Sequence, residues 1–388
     1  MKTPRGVALA AVAVVVVVLV PGAHAQLAVS ANDNKVVLVN GTVKTVPNAS
    51  PDTITLLDLG ARPPKVLAEV PAGASVVGPP LSVALTPDEG LALVTVNQKI
   101  DPADPSKQTA DNRLLVVDLT ASPPAVVATL PTGKAPAGLS INRQGTLALV
   151  ANREEGSVSV FTIQGKTVAP AGTVTLGDAK IGTSHVAITP DGKTALVTRD
   201  NDDRISVLSI DGTKVEYTKR DLNAGLRPYG VDVAASGAFA TVANIGRGQG
   251  DLDTISLIDL KSPHVRVVDT ASTGAQSPEG IKVSPDGTLV AVVCQDGSNK
   301  PKESPFFNDS GKLVLFRVNG TALSWVATAP VGHWPQGAAF SADGKTIVVG
   351  NMVEKELWVF DWNGSTLRDT GQRIKVNGGS AAIRTADK

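Results

Sequence analysis

Cysteine is nearly absent. The 388-residue chain has one, so no internal disulfide can form and no multi-thiolate metal centre can be assembled. That residue, Cys294, closes the apolar stretch Val292-Val293-Cys294, the setting of an inert buried thiol rather than a reactive one. Aromatic residues make up 3% of the chain, so any core must be built from aliphatic side chains. Charge of one sign is missing too. Lysine plus arginine and aspartate plus glutamate number 36 each, which leaves no field aimed at nucleic acid or an anionic membrane. No segment keeps the three- and four-residue apolar spacing of an amphipathic helix. No P-loop, Gly-x-Ser-x-Gly turn or Cys/His zinc spacing occurs. The acidic run Asp200 to Asp203 lacks the glycine and closing glutamate of an EF-hand loop. Neither a cofactor nor a metal is expected.

One long apolar run is present, Val7 to Val20, 14 residues. Lys2 and Arg5 precede it, Pro21-Gly22 ends it, and Ala23-His24-Ala25 offers an A-x-A cleavage site. Residues 1–25 therefore read as a secretory signal peptide, with the mature chain starting at Gln26 in the periplasm or outside the cell. An uncleaved anchor is the alternative, and the shortness of the run argues against it. No second membrane segment follows, and 26–388 reads as one domain, expected to be a monomer.

What fills that domain is one hairpin written six times. The copies begin at Pro80, Pro136, Thr183, Pro228, Pro278 and Pro335, and their turn glycines are Gly90, Gly145, Gly192, Gly237, Gly287 and Gly344. The spacings of 55, 47, 45, 50 and 57 residues fit a unit of four short strands. Each part of the unit has a physical reason. A proline cannot donate to a ladder, so it marks where the first strand begins. Apolar residues then alternate, as in Ile281 and Val283. Asp-Gly supplies the turn. The second strand, as in "TLVAVV", is apolar and β-branched, which fits burial on both faces. A third strand follows, as in "SVSVFTI", and then a more polar fourth strand, as in "PPAVVATLPTG", suited to an outer edge.

The chain ends complete the count. "DTITLLDLGARPPKVLAEVPAG" parallels "DNRLLVVDLTASPPAVVATLPTG" and supplies third and fourth strands without a first. The C-terminal "GGSAAIRTADK" resembles "PQGAAFSADGK", a first strand with nothing after it. Joined in one blade, the termini close the ring and protect its edges. The expectation is an all-β, seven-bladed β-propeller of four-stranded antiparallel blades. The repeated pattern "LLVVDL…VVATLPTGKAPAGLSINRQGTLALVAN…GSVSVFTI" resembles the YVTN-type propeller repeat over nearly the whole mature chain. The naming tetrapeptide is altered here to "LVAN", "TVAN", "VVGN" and "LVTR". Similar repeats occur in secreted and surface-layer proteins and in lactonase-like propellers of sugar-acid metabolism.

Topology selects the functional face. The Pro-Asp-Gly turns, short and uniform, emerge on one side. The long connections emerge on the other, in 97–112, 245–253 and 295–311, and irregular loops on a rigid scaffold are where binding usually lives. On this variable face the second position of the first strand holds Ser82, Gly138, His185, Gly230, Gly280 and Gly337. His185 is large where the others are small. It reads either as filler between blades or as a general base. In lactonase-like propellers this strand start carries an Arg-His pair. Here it is Ser184-His185, which puts that activity in doubt. Glu279 takes a neighbouring frame position and is a catalytic candidate only if the protein is an enzyme. Arg153, Arg199 and Arg247 follow second strands and could hold an anion. Tyr229, Gln295 and Gln336 complete the expected ligand-binding set. Asn97, Asn152, Asn244 and Asn351 read as loop caps. Phe306 and Phe307 offer a contact surface or fold back on their own loop. The sequence thus leaves two readings: a propeller that binds a partner protein or small ligand at this channel mouth, or a lactonase-like hydrolase or isomerase acting there on a sugar-acid type substrate.

Overall fold

The computed structural model describes residues 26–388. The expected signal peptide, 1–25, lies outside the described residues. Seven four-stranded antiparallel sheets are arranged as blades around a central channel, and a separate two-stranded hairpin completes the sheet inventory. From the channel outwards, blade 1 comprises Val83–Leu85, Leu91–Ile100, Gln108–Asp118 and Ala125–Pro131. The innermost strands of blades 2 to 6 are Pro136–Ile141, Thr183–Ile188, Pro228–Val233, Pro278–Val283 and Pro335–Phe340. Blade 7 is the composite one. Its innermost strand is the C-terminal Gly379–Thr385, which pairs with Leu27–Asp33, followed by Thr53–Asp58 and Lys65–Pro71. Its first, third and fourth strands were legible in the sequence. The second, Leu27–Asp33, carries buried Asn32 beside its end, where four other blades carry buried Asn97, Asn152, Asn244 and Asn351.

The repeat signature is explained by register. Pro136, Pro228 and Pro335 each stand opposite the terminal asparagine of the second strand, Asn152, Asn244 and Asn351, and a register shift follows at once. Proline has no N–H to give, so the ladder breaks there and the chain re-enters pairing two or three residues on. The asparagine amide then turns outward along the blade. Asn152 Nδ2 donates to Ser157 Oγ and Ser159 Oγ, each at 2.9 Å, and Asn244 Nδ2 donates to Ala224 O at 3.2 Å. At the opposite end, the turn serine or threonine and the Asp carboxylate lock the hairpin. Ser284 Oγ donates to Asp286 Oδ1 at 2.6 Å, and Gly287 takes φ 72°. Blade 1 departs from this pattern: in Pro-Asp-Glu-Gly the left-handed residue is Glu89, at φ 58°, rather than Gly90.

Neighbouring innermost strands meet backbone to backbone, and this fixes the small residues near their starts. A Cβ on Gly280 would stand 2.3 Å from Gln336 O, and one on Gly230 would stand 2.8 Å from Glu279 O. Gly280→Ala should therefore cost about 1–3 kcal/mol through overpacking. Urea unfolding of the variant would show it, and an unchanged midpoint would mean the strands can separate freely.

The core is aliphatic and lies between blades. Val94, Leu115 and Ala382, for example, share one cluster across blades 1 and 7. Cys294 is fully buried beside Ile255 and Phe316, and burial pushes its thiol well up. One loop expectation changes. The 97–112 segment is not irregular, because strands Leu91–Ile100 and Gln108–Asp118 pair as far as Ile100 and Gln108. The Asn40-Gly41 turn closes a hairpin of Val36–Val39 and Thr42–Thr45. It rises from blade 7, packs Val36 on Trp334 and Met352 of blade 6, and meets Lys302 and Glu303 of blade 5 with its tip. Phe306 folds back onto the Gly250 loop, where a Cβ would lie 2.3 Å from its ring.

Candidate functional site at the variable-face channel mouth

Blades 2, 3 and 4 share one carboxylate at the channel mouth. Asp200 directly follows the second strand of blade 3, Thr194–Arg199, and is fully buried. Its Oδ2 receives Arg153 Nη2 of blade 2 at 2.8 Å and Arg227 Nη2, just before blade 4, at 2.7 Å. Its Oδ1 accepts from Ser184 Oγ at 2.6 Å, and Ser184 in turn accepts from Arg153 Nη1 at 2.5 Å. Burial opposes the Asp200 charge, but Arg153, Ser184 and Arg227 together hold it below the usual carboxylate range. The Arg153 guanidinium also lies 5.5 Å from the centre of the Tyr229 ring, a cation–π contact that further desolvates it. Burial pushes the Tyr229 phenol well up.

Blades 5 and 6 supply the facing half. Glu279 is buried at the start of the blade 5 innermost strand, and its Oε1 accepts from Gln295 Nε2 at 2.5 Å. Gln295 Oε1 accepts from Asn299 Nδ2 at 2.5 Å, which fixes the direction of the amide. Gln336 has no exposed surface, and neither its Nε2 nor its Oε1 makes a hydrogen bond of ordinary geometry within the protein. Burial pushes the Glu279 carboxyl up to about 8, offset only in part by Gln336, Arg227 and Arg153. At neutral pH the mouth therefore holds two guanidiniums, one carboxylate and a mostly protonated carboxyl, which leaves an excess of one positive charge.

Of the expected residues, Arg153, Tyr229, Glu279, Gln295 and Gln336 come together here. Arg199 and Arg247 do not. Arg199 turns along its own blade to pair with Asp202 and Asp221 and to bond Ser206. Arg247 is 53% exposed and reaches Asp203 at 3.6 Å. His185 lies between the innermost strands rather than in open channel. Its Nδ1 accepts from Val231 N and its Nε2 faces Leu139 O, each at 3.3 Å, which fixes the Nε2–H tautomer. Its ring sits where a Cβ on Gly138 would stand, 2.2 Å from Cδ2. Burial, reinforced by the nearby Arg384 charge, holds its pKa at about 3. It is neutral and occupied at both nitrogens at neutral pH.

Two residues of the site went unread in the sequence. Asp200 was absorbed into an acidic run. Arg227 precedes the innermost-strand proline in left-handed backbone (φ 55°), a position that holds Ala135, Ser277 and Trp334 in other blades. A charged residue in that frame is an outlier, and the repeat alignment could have flagged it. Among the described residues, no group of three or more His, Cys, Asp or Glu is placed to hold a metal ion. No helix among them is long and apolar enough to cross a membrane.

No protein-family model matches the chain. No curated protein matches it either. Solved structures share the fold. A periplasmic gluconolactonase from Pseudomonas aeruginosa superposes with a TM-score of 0.69 at 18% identity, covering 93% of this chain and 99% of that one. A candidate 6-phosphogluconolactonase from Bacteroides fragilis gives 0.70 at 16% identity over 94% and 98%. The hydrazine synthase of Kuenenia stuttgartiensis gives 0.62 at 19% identity over 81% and 91%. The architecture therefore carries unlike chemistries, and the likeness transfers the fold alone.

Proposed function

We propose that this propeller binds a small polyhydroxy carboxylate, or the lactone such an acid closes to, at the variable-face channel mouth. The observation that carries the reading is the paired Arg153 and Arg227 guanidiniums held side by side by buried Asp200. Asp200 neutralises one of the two charges, so a single anionic group on the ligand balances the site. Gln295, Glu279 and Gln336 provide neutral donors and acceptors for hydroxyl groups. The chain is proposed to act outside the cytoplasm, on the strength of the signal-like segment 1–25. Thermal shift with gluconate tests the binding: wild type should gain stability with ligand, and Arg227→Met should gain none. Equal shifts in both would remove the site.

Ring-ester hydrolysis is the second reading, favoured by the position of Glu279 and supported by the names of two structural neighbours. In its ionised form Glu279 would take a proton from water as the oxygen attacks the lactone carbonyl. The resulting carboxylic acid would then return that proton to the departing ring alkoxide, giving the open hydroxy acid. With the carboxyl at about 8, the rate should climb with pH and level off above that value. Glu279→Gln should leave gluconate affinity within a few-fold and lower lactone turnover by about 100-fold or more. The same variant has a stability signature. A buried acid with a raised pKa binds its proton more tightly folded than unfolded, so its contribution is fully present below the unfolded pKa and lost as pH rises towards about 8. Glu279→Gln should flatten that fall. A wild type whose turnover is absent while gluconate still binds would leave the binding reading alone standing.

A further inference from the structure

The other end of the channel holds a second cluster that the proposed function does not use. A cavity of 310 Å³ opens at the Pro-Asp-Gly face, lined by the ends of innermost strands from blades 2 to 7. Most of these strand ends bring apolar groups, as in Ile141, Ile188 and Val233. Blades 5 and 7 instead bring Lys282 and Arg384. Both are largely withdrawn from water, with side chains 13% and 3% exposed. Asp232 offsets one of the two cations through Lys282 Nζ at 3.2 Å and also accepts from Val283 N at 2.8 Å.

The second cation is balanced from outside the blades. Asp387 belongs to Ala386-Asp387-Lys388, which follows the end of the innermost strand at Thr385. Its Oδ1 lies 2.8 Å from Lys282 Nζ and its Oδ2 lies 2.6 Å from Arg384 Nη2, so one carboxylate bridges both cations. Burial alone would raise the Asp387 carboxyl, but Arg384 and Lys282 hold it well below the usual range. The cluster is not closed, however. Arg384 Nε is buried without a partner, and the cavity beside it stays open. The other two nitrogens are taken, Nη1 by Leu139 O at 3.3 Å and Nη2 by Asp387, so Nε is the one donor left for a ligand in that space.

We infer that Lys282 and Arg384 form a site for small monocarboxylates, and that Asp387 occupies it as a built-in stand-in which a free ligand must displace. The charge balance sets the class. Without Asp387, Lys282 and Arg384 outnumber Asp232, whose own carboxyl burial pushes up, so the site keeps at least one uncompensated positive charge, which suits a single carboxylate on a short body. The two-cation bridge suits the two oxygens of one carboxylate, as it now takes the two of Asp387, and the spare Arg384 Nε–H suits a hydroxyl on the adjacent carbon.

The probe is glycolate, followed by isothermal titration. Asp387→Ala should bind it at least about tenfold more tightly than wild type, in which the tail competes. Adding Lys282→Met to Asp387→Ala should remove that gain, which also separates this site from the variable-face mouth. Deleting Ala386 to Lys388 should reproduce the gain. The proposal is overturned if Asp387→Ala keeps its secondary structure and binds no glycolate up to about 50 mM, weaker than a useful millimolar contact. It is equally overturned if both the substitution and the deletion fail to fold, because Asp387 is then a structural clasp. Arg227→Met should leave the glycolate gain untouched, so failure here and failure of the variable-face reading are distinguishable.

Discussion

Removing Gly379 to Lys388 should leave no cooperatively folded monomer. Those residues include the innermost strand of blade 7, which pairs along Leu27–Asp33 and packs against the innermost strands of blades 6 and 1. Ala381, Ala382 and Ile383 are buried on it to within 1% exposure. Loss of a buried isoleucine alone costs about 2–5 kcal/mol. Losing the strand adds the ladder and exposes the edge of Leu27–Asp33, a template for pairing with another chain. The sum exceeds much of the roughly 5–15 kcal/mol by which a native protein outweighs its unfolded state. Size-exclusion chromatography and thermal melting would check this, with Ile383→Ala as a graded comparison expected to lose about 2–5 kcal/mol. A truncated chain that stays monomeric and melts like the intact one would show that the ring closes without this strand.

Asp200→Ala should be the most damaging single change at the channel mouth. The carboxylate is fully buried and serves Arg153, Arg227 and Ser184 together. Its loss leaves two guanidiniums facing each other without a counter-charge. Breaking a buried ion pair from one side costs about 3–5 kcal/mol, and a figure near about 3 applies here because both arginines keep some solvent contact. The pH dependence follows from the depressed pKa of Asp200. Its stabilisation is present above the unfolded carboxylate pKa, about 3.9, and is lost as pH falls through the lower folded value. Wild type and variant should therefore converge in strong acid and differ fully at neutral pH. Denaturant melts at several pH values would test it, and a constant gap across the whole range would mean that lost packing, not charge, explains the effect. Gluconate affinity should fall with the clamp, since the arginines are then free to separate.

Fold and site were legible to different depths. The proline–asparagine register, the locked turns and the glycines between innermost strands are local, so they recur in most repeats and can be read by alignment within one chain. The split blade was legible for the same reason: each terminus held a recognisable part of a unit. Of the residues that the repeat frame singles out, Arg153, Tyr229, Glu279, Gln295 and Gln336 lie together, whereas Arg199 and Arg247 do not.

Direction was not legible. Arg199 ends its strand in the frame that brings Asn152 and Asn244 to theirs, and like them it bonds along its own blade, to Ser206, Asp202 and Asp221, instead of entering the channel. His185 occupies a channel-mouth frame but fills the space that Gly138 of the adjacent blade leaves. Asp200 and Arg227, 27 residues apart in sequence, meet only because two blades stand side by side. The sequence by itself determined the repeat, its strands and the closure of the ring, since these depend on proline, glycine and alternation within some 50 residues. The tertiary structure alone decided which charges share a partner, because ion pairing depends on distances between blades that no single repeat encodes.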